Sequence, residues 1–257
     1  MSLKDNSVLV LFGGHGREAT VLRLQAEGYR IKAVVTSAKA SPPAQESLEI
    51  IEDAGINVIK CLKETLRVTL DPFAGCTLIS ISFPYLLPGD LLAKFRVCLN
   101  VHPTLLPHYR GPTSGAYILV NNEPETGSTV QEIDAGMDTG PIVLQRTVKL
   151  SRFDTIRSMQ RKTFALEPDL LIDALQLMDT PGFEPVQQDE SQATIYPKKR
   201  RPDDSEIDPN KSLVELFDTI RACDPEDFPA FFFIEGQKVC IRLWRPERPV
   251  EEDDDTL

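Results

Sequence analysis

The sequence predicts an α/β fold built on a mainly parallel sheet. Five short apolar runs occur early in the chain, at residues 8–12, 29–35, 56–59, 77–83 and 97–101. Runs of this length, bounded by glycine, proline or polar residues, are typical of buried strands. Helical patterns separate several of them, and strands that alternate with helices form βαβ units. We therefore expect a Rossmann-like sheet.

Helices are predicted where apolar residues recur at helical spacing. The patterns span residues 16–28, 46–54, 88–95, 115–122 and 154–178. Gly28 closes the first pattern, as glycine commonly does after a helix. Pro88 stands at the start of the third, where its fixed backbone angle favours a first helical turn.

The second half of the chain predicts a smaller appended unit. Strands at 128–133 and 141–150 extend the sheet, and the stretch that follows the long helix is polar and rich in proline, as a linker or surface wrap would be. A helix at 212–223 precedes a β-hairpin at 230–244. The expected organisation is a main domain at 1–180, a linker at 181–210, a small helix and hairpin at 211–250, and a disordered acidic tail at 251–257.

Charge and cysteine content limit the classes of function. The 257 residues carry a formal net charge of −11, which does not suit a large polyanionic partner such as nucleic acid. Five cysteines without a CxxC pair favour reduced thiols in the cytoplasm. We find no hydrophobic leader, no run of membrane-spanning length and no metal-ligand pattern, so neither a membrane partner nor a metal is expected.

Three polar residues mark a candidate active site. Asn100 and His102 end the fifth predicted strand, and residues two apart point to the same face of an extended segment. Asp138 lies in the glycine-rich turn between the two later strands. An amide, an imidazole and a carboxylate can polarise a carbonyl, stabilise an oxyanion and move a proton, which predicts acyl-group transfer. The alternative is that His102 only caps the turn before Pro103.

The segment from Leu99 to Ile142 resembles the folate-dependent formyltransferases. The resemblance rests on three runs: Asn100-Val101-His102-Pro103-Thr104-Leu105-Leu106-Pro107-His108-Tyr109-Arg110-Gly111, Gly127-Ser128-Thr129, and Met137-Asp138-Thr139-Gly140. It implies the formyltransferase fold and 10-formyltetrahydrofolate as the donor. It also implies that Asn100, His102 and Asp138 are the catalytic residues.

The resemblance also implies binding residues. The loop with Phe83, Tyr85, Leu86 and Leu87 matches the family loop that grips the pteridine, although an ordinary strand-to-helix turn would look similar. Further folate contacts are expected from the turn residues Asp134 and Gly136. Expected substrate contacts are Tyr109, Arg110, Gly111, Gln131 and Lys198. Gln131 departs from the family, which usually has histidine there; glutamine can hold a hydrogen bond but cannot titrate.

Three other patterns leave more than one interpretation open. The run Gly13-Gly14-His15-Gly16-Arg17 could hold a phosphate at a helix N-terminus or form a tight turn. The basic cluster 198–201 could contact a nucleotide diphosphate or be a solvated loop. The aromatic residues Phe231, Phe232, Phe233 and Trp244 could stack on a base, form a dimer surface or pack in a core.

Within the family, chain length and the element 202–208 resemble the sugar-nucleotide N-formyltransferases. This implies N-formylation of a nucleotide-linked amino-dideoxy sugar, as in lipopolysaccharide biosynthesis. The strongly apolar strands of the terminal hairpin must be packed to be stable, from which we expect a homodimer paired through the hairpin. The alternatives are a methionyl-tRNA formyltransferase, whose C-terminal domain is larger, a glycinamide ribonucleotide formyltransferase, which is shorter, and a non-catalytic folate- or nucleotide-binding homologue.

Overall fold

A computed structural model describes residues 2–112, 115–198, 200–247 and 257. The strands in these residues are Ser7–Phe12 (β1), Arg30–Ser37 (β2), Val58–Cys61 (β3), Thr77–Ile81 (β4), Val97–His102 (β5), Glu125–Glu132 (β6), Ile142–Lys149 (β7), Ala230–Ile234 (β8) and Gln237–Ile241 (β9). The α-helices are Glu18–Ala26 (α1), Pro42–Asp53 (α2), Leu66–Leu70 (α3), Gly89–Leu92 (α4), Gly115–Val120 (α5), Ile156–Met178 (α6) and Leu213–Arg221 (α7).

Seven strands form one sheet in the order β3-β2-β1-β4-β5-β6-β7. The first five are parallel, and β6 and β7 are antiparallel to their neighbours. The α/β fold class predicted from the sequence is confirmed. The direction of strand progression reverses between β1 and β4, which is where ligands gather in open α/β sheets, beyond the carboxyl ends of the strands.

The sheet separates two apolar layers because strand side chains alternate between its faces. Val8, Val10 and Phe12 of β1 pack on one face with residues of α1, α2 and α6. Leu9 and Leu11 pack on the other face with residues of α3 and α4. Helix α3 was not predicted, since it is only five residues long and too short to show a helical period.

Within residues 181–210, predicted as a linker or wrap, the part from Val186 to Tyr196 lies against the main domain, and Ile207 packs in the C-terminal unit. Val186 forms an antiparallel bridge with Ile142, and Ile195 forms a parallel bridge with Arg110. The hydroxyl of Thr194 accepts a hydrogen bond from the amide of Tyr109 at 2.7 Å. We call residues 181–210 the wrap segment; its backbone follows the edge of the predicted site.

A small C-terminal unit consists of α7 and the β8–β9 hairpin, as the sequence predicts. They share an apolar core of Ile207, Leu216, Ile220, Cys223 and Ala230. The outer hairpin face leaves large apolar side chains exposed, namely Phe233, Ile234, Val239 and Trp244.

The predicted acidic tail lies outside the described residues except for Leu257. This residue is buried, and its amide donates to the Phe153 carbonyl at 2.9 Å, so the last residue itself packs on the protein. Among the described helices, none combines the length and apolar character needed to cross a membrane.

Candidate active site

Three neighbouring strands bring the predicted catalytic residues together. Asn100 lies on β5, in register with Ser80 of β4 and Gln131 of β6. His102 ends β5, and Asp138 lies in the turn between β6 and β7, where its φ of 56° is left-handed. The His102 Nδ1 is 3.6 Å from Asp138 Oδ1. This is longer than a hydrogen bond, and it places an imidazole and a carboxylate side by side.

One nitrogen of the His102 ring is engaged in a hydrogen bond to the backbone. Its Nε2 lies 3.1 Å from the carbonyl oxygen of Tyr109, which can only accept, so we assign the Nε2 proton to that bond. Nδ1 is then the nitrogen that faces Asp138. The ring is 7% exposed, and its orientation is fixed by the backbone of the 103–109 loop.

The Asp138 carboxylate is held by two N–H donors. Its Oδ2 accepts from the amide of Gly111 at 2.9 Å, and its Oδ1 accepts from Gln131 Nε2 at 3.3 Å. Gly111 has a φ of 115°, and a Cβ there would come within 2.2 Å of the Tyr196 carbonyl oxygen. Glycine is therefore required at the position that presents its amide to Asp138.

A pocket opens beside these residues. All six predicted folate contacts line it: Phe83, Tyr85, Leu86, Leu87, Asp134 and Gly136. Asn100 also lines it, and its side-chain amide has no hydrogen-bond partner among the described residues. The 83–87 loop gives the pocket an apolar side, and Asn100 with the acidic residues gives it a polar one. Such a pocket suits a ligand with an aromatic ring and a carbonyl.

The pocket also contains Glu132, which the sequence interpretation did not single out. Burial raises the pKa of its carboxyl group. Burial, together with the nearby Glu132, also raises the pKa of the Cys98 thiol to about 12. Because the thiolate is the nucleophilic form, Cys98 is inert at neutral pH although it lies two residues before Asn100.

Some of the predicted substrate contacts lie at Asp138 or are exposed, whereas others are buried away from the pocket. Gly111 and Gln131 lie at Asp138, and Lys198 is exposed. Tyr109 and Arg110 are buried. The Tyr109 hydroxyl donates to Glu123 Oε1 at 2.5 Å, and burial raises the pKa of this phenol. The structure does not bring these two side chains to the open pocket.

The side chain of Arg110 forms hydrogen bonds with the wrap segment. Its guanidinium donates to Gln188 Oε1 at 2.8 and 3.1 Å and forms a bidentate ion pair with Glu190 at 2.7 and 2.9 Å. The tyrosine-arginine-glycine run could be recognised from the sequence as part of the family motif. The partners of Arg110 could not be predicted because they lie about 80 residues further along the chain.

The glycine-rich run after β1 ends in a buried ion pair. Arg17 donates to both oxygens of Glu167 in α6, at 2.6 and 2.7 Å, and both side chains are fully buried. It also donates to the Val101 carbonyl at 2.9 Å and to the Ser82 hydroxyl. Burial raises the pKa of Glu167, and Arg17 and Ser128 oppose that effect. The Arg17 side chain thus points into the protein, as the tight-turn interpretation requires.

The basic cluster is also partly structural. Arg200 donates to the Ala222 carbonyl at 2.9 Å and to the sulfur of Cys223 at 3.0 Å, so it anchors the C-terminal unit. Lys199 lies outside the described residues. Lys198 and Arg201 are exposed.

Comparison with known proteins defines the class. Residues 18–175 match the family model described as formyl transferase. The methionyl-tRNA formyltransferase of Streptococcus pyogenes is 31% identical over 248 residues, which cover 91% of this chain and 78% of the relative. The chain belongs to the formyl transferase family, and it is an N-formyltransferase.

Solved structures share the fold. A 4-N formyltransferase from Francisella tularensis superposes with a TM-score of 0.77 at 20% identity, covering 93% of this chain and 98% of that one. An N-formyltransferase from Helicobacter canadensis, in complex with folinic acid and dTDP-3-aminofucose, gives 0.73 at 20% identity, covering 91% and 86%. The formyltransferase fold predicted from the sequence motifs is thus confirmed.

Proposed function

We propose that this protein transfers the formyl group of 10-formyltetrahydrofolate to the amine of a nucleotide-linked amino-dideoxy sugar. The observation that carries the formyl transfer is the convergence of Asn100, His102 and Asp138 beside the pocket lined by the 83–87 loop. The apolar side of the pocket, at the 83–87 loop, fits a folate ring, and the available Asn100 amide fits its formyl oxygen.

Each residue has a role that follows from its position. The Asn100 amide donates a hydrogen bond to the carbonyl oxygen on which negative charge develops. His102, held through Nε2, presents Nδ1 to the reacting groups, and Asp138 accepts a proton from the attacking amine. 10-Formyltetrahydrofolate, when bound, supplies the formyl group. The amine nitrogen gains a bond to the formyl carbon as the bond to the folate nitrogen breaks and that nitrogen takes up a proton.

The charge of the chain favours a compact acceptor over a large polyanion. A net charge of −11 opposes a polyanion as large as transfer RNA. The inward orientation of Arg200 further reduces the basic surface. The dTDP-amino sugar in the Helicobacter canadensis structure supports the view that this fold accepts such a substrate. We propose that Gly111, Gln131 and the exposed Lys198 contact it.

Methionyl-tRNA is the second candidate acceptor. Curated relatives with that name are 27–31% identical over more than nine-tenths of this chain. The same chain spans 77–78% of those relatives, which leaves part of each relative without a counterpart here.

The exposed hairpin and the free cysteines bear on the oligomeric state and the cellular compartment of the protein. Phe233, Ile234 and Val239 expose an apolar hairpin face, which a second copy of this chain would cover in a homodimer. The division into a catalytic domain, a wrap segment and a C-terminal unit belongs to the proposal as well. The free cysteines support a reducing compartment, the cytoplasm, where sugar nucleotides for surface polysaccharide would be formylated.

The test offers both acceptors with the same folate donor. We expect formylation of nucleotide-linked 3-amino or 4-amino sugars and none of methionyl-tRNA. His102→Asn and Asp138→Asn should each lower the rate about a hundredfold or more while thermal unfolding stays near that of the parent. Formylation of methionyl-tRNA alone would overturn the assigned substrate, and near-normal turnover in either variant would overturn the assigned residues.

A further inference from the structure

Gln188 of the wrap segment enters the active site with only one workable orientation. Its Nε2 faces the backbone carbonyl of Asp138 at 2.9 Å and that of Gly140 at 2.7 Å, both of which can only accept. Its Oε1 faces the guanidinium of Arg110, which can only donate. Rotating the amide by half a turn would place its oxygen against the two carbonyl oxygens and its NH2 group against the guanidinium of Arg110. The direction of the Gln188 amide is therefore fixed.

The fixed amide sets the direction of a second one. Gln131 Oε1 lies 3.1 Å from Gln188 Nε2, which shares its two N–H groups among this oxygen and the two carbonyls. Gln131 must therefore point its own Nε2 away, and that nitrogen donates to Asp138 Oδ1 at 3.3 Å. If the Gln131 amide were reversed, its oxygen would face the carboxylate and repel it. The orientation that Asp138 needs is thus transmitted from Arg110 through two glutamines.

Gln188 also acts on the backbone of Asp138. That residue has a left-handed φ of 56°, which costs an ordinary side chain free energy and persists only where the surroundings hold it. The hydrogen bond from Gln188 to the Asp138 carbonyl is one such restraint. One side chain therefore restrains both the main chain and the carboxylate of the proposed proton acceptor.

We propose that Gln188 is a positioning residue for Asp138, with Arg110 as the anchor that fixes its amide. The proposal rests on the formyl-transfer role proposed for Asp138. It gives one residue of the wrap segment, Gln188, a role in catalysis, and it accounts for a fully buried Arg110 that never reaches the open pocket.

Two variants remove the positioning in different ways. Gln188→Leu deletes all its side-chain hydrogen bonds at similar volume. Gln188→Glu keeps an acceptor for Arg110 but replaces the donor that faces Gln131 and the two carbonyls with a second oxygen. The matched control is Gln187→Leu, since Gln187 is the adjacent, exposed glutamine of the same segment. Thermal unfolding establishes that each variant is folded.

The first measurement needs no acceptor substrate. The chain has three histidines, so the imidazole resonances of His102 can be followed by NMR and assigned with His102→Asn. Because His102 Nδ1 lies 3.6 Å from Asp138 Oδ1, displacing the carboxylate should shift those resonances. We expect a shift in both Gln188 variants and none in Gln187→Leu. Unshifted His102 resonances in a folded Gln188→Glu protein would overturn the proposal.

The second measurement separates positioning from binding. With an accepted amine, both Gln188 variants should lower kcat about tenfold or more while KM for the folate donor stays within about twofold. A kcat within about twofold of the parent would overturn the positioning role. If no amine is formylated by the parent protein, the proposed function fails, and the His102 resonances still decide the role of Gln188.

Discussion

Arg17 and Arg110 both have buried side chains, and they are buried in different ways. Arg17 pairs with Glu167, which is itself completely buried. Arg110 pairs with Glu190, whose side chain is 68% exposed. Arg17 lies beneath β5 and binds the Val101 carbonyl, between Asn100 and His102. Arg110 lies at the edge of the site and holds the wrap segment beside Asp138.

The difference concerns what happens to the partner when the arginine is lost. Glu167 would be left buried without its cation, so it would either carry an uncompensated charge or take up a proton, and both cost free energy. Glu190 would return to solvent, where a carboxylate needs no partner. We infer that Arg17 mainly stabilises the fold at the catalytic strand, whereas Arg110 mainly sets the geometry of one catalytic residue.

The largest expected effect on stability comes from Arg17→Met. Removing one partner of a buried ion pair costs about 3–5 kcal/mol, because the other charge is left uncompensated. Urea unfolding monitored by circular dichroism should show a loss in this range. The double variant Arg17→Met with Glu167→Gln should recover part of it. A loss below about 1 kcal/mol for the single variant would mean that Glu167 is not a buried charge that depends on Arg17.

A smaller loss of stability is expected for Arg110→Met. The cost is about 1–3 kcal/mol, because the Gln188 oxygen loses its donors in a partly buried position while Glu190 is rehydrated. The same urea experiment compares the two variants directly. For each kcal/mol of unfolding free energy lost, Arg110→Met should lower the rate of formyl transfer more than Arg17→Met does. Equal stability losses would remove the distinction between the two arginines.

The smallest effect is a pH dependence confined to the Arg110 pair. The hydrogen bond from Arg110 lowers the pKa of Glu190 below its ordinary value of 4.5. A depressed carboxyl pKa contributes stability that is present above the unfolded value and is lost as pH falls through the folded value. The difference in unfolding free energy between the parent and Glu190→Gln should thus be constant above about pH 5 and vanish on acidification. A difference that grows on acidification would contradict this sign.

Local patterns predicted much of the fold and of the candidate site. The apolar runs predicted the strands because a buried strand needs a continuous apolar stretch whatever it pairs with. The amide, imidazole and carboxylate could be selected because they lie in short recognisable runs. The short helix α3 was missed for the opposite reason, since five residues carry almost no pattern.

Pairs of distant residues were not predictable in this way. Arg17 looked like part of a glycine-rich turn, and Arg110 looked like a substrate contact in a motif. Their partners are separated from them by 150 and 80 positions, and nothing local in either segment specifies the other.

The sequence by itself therefore determined the α/β architecture, the family and the residue types available for chemistry. Each of these depends on patterns within a few residues or within one motif. Only the tertiary structure decided which polar groups meet. It turned Arg17 and Arg110 inward, brought Gln188 to Asp138 and committed one nitrogen of His102 to the Tyr109 carbonyl. Buried polar groups must find partners, and the packing of distant segments decides which partners are within reach.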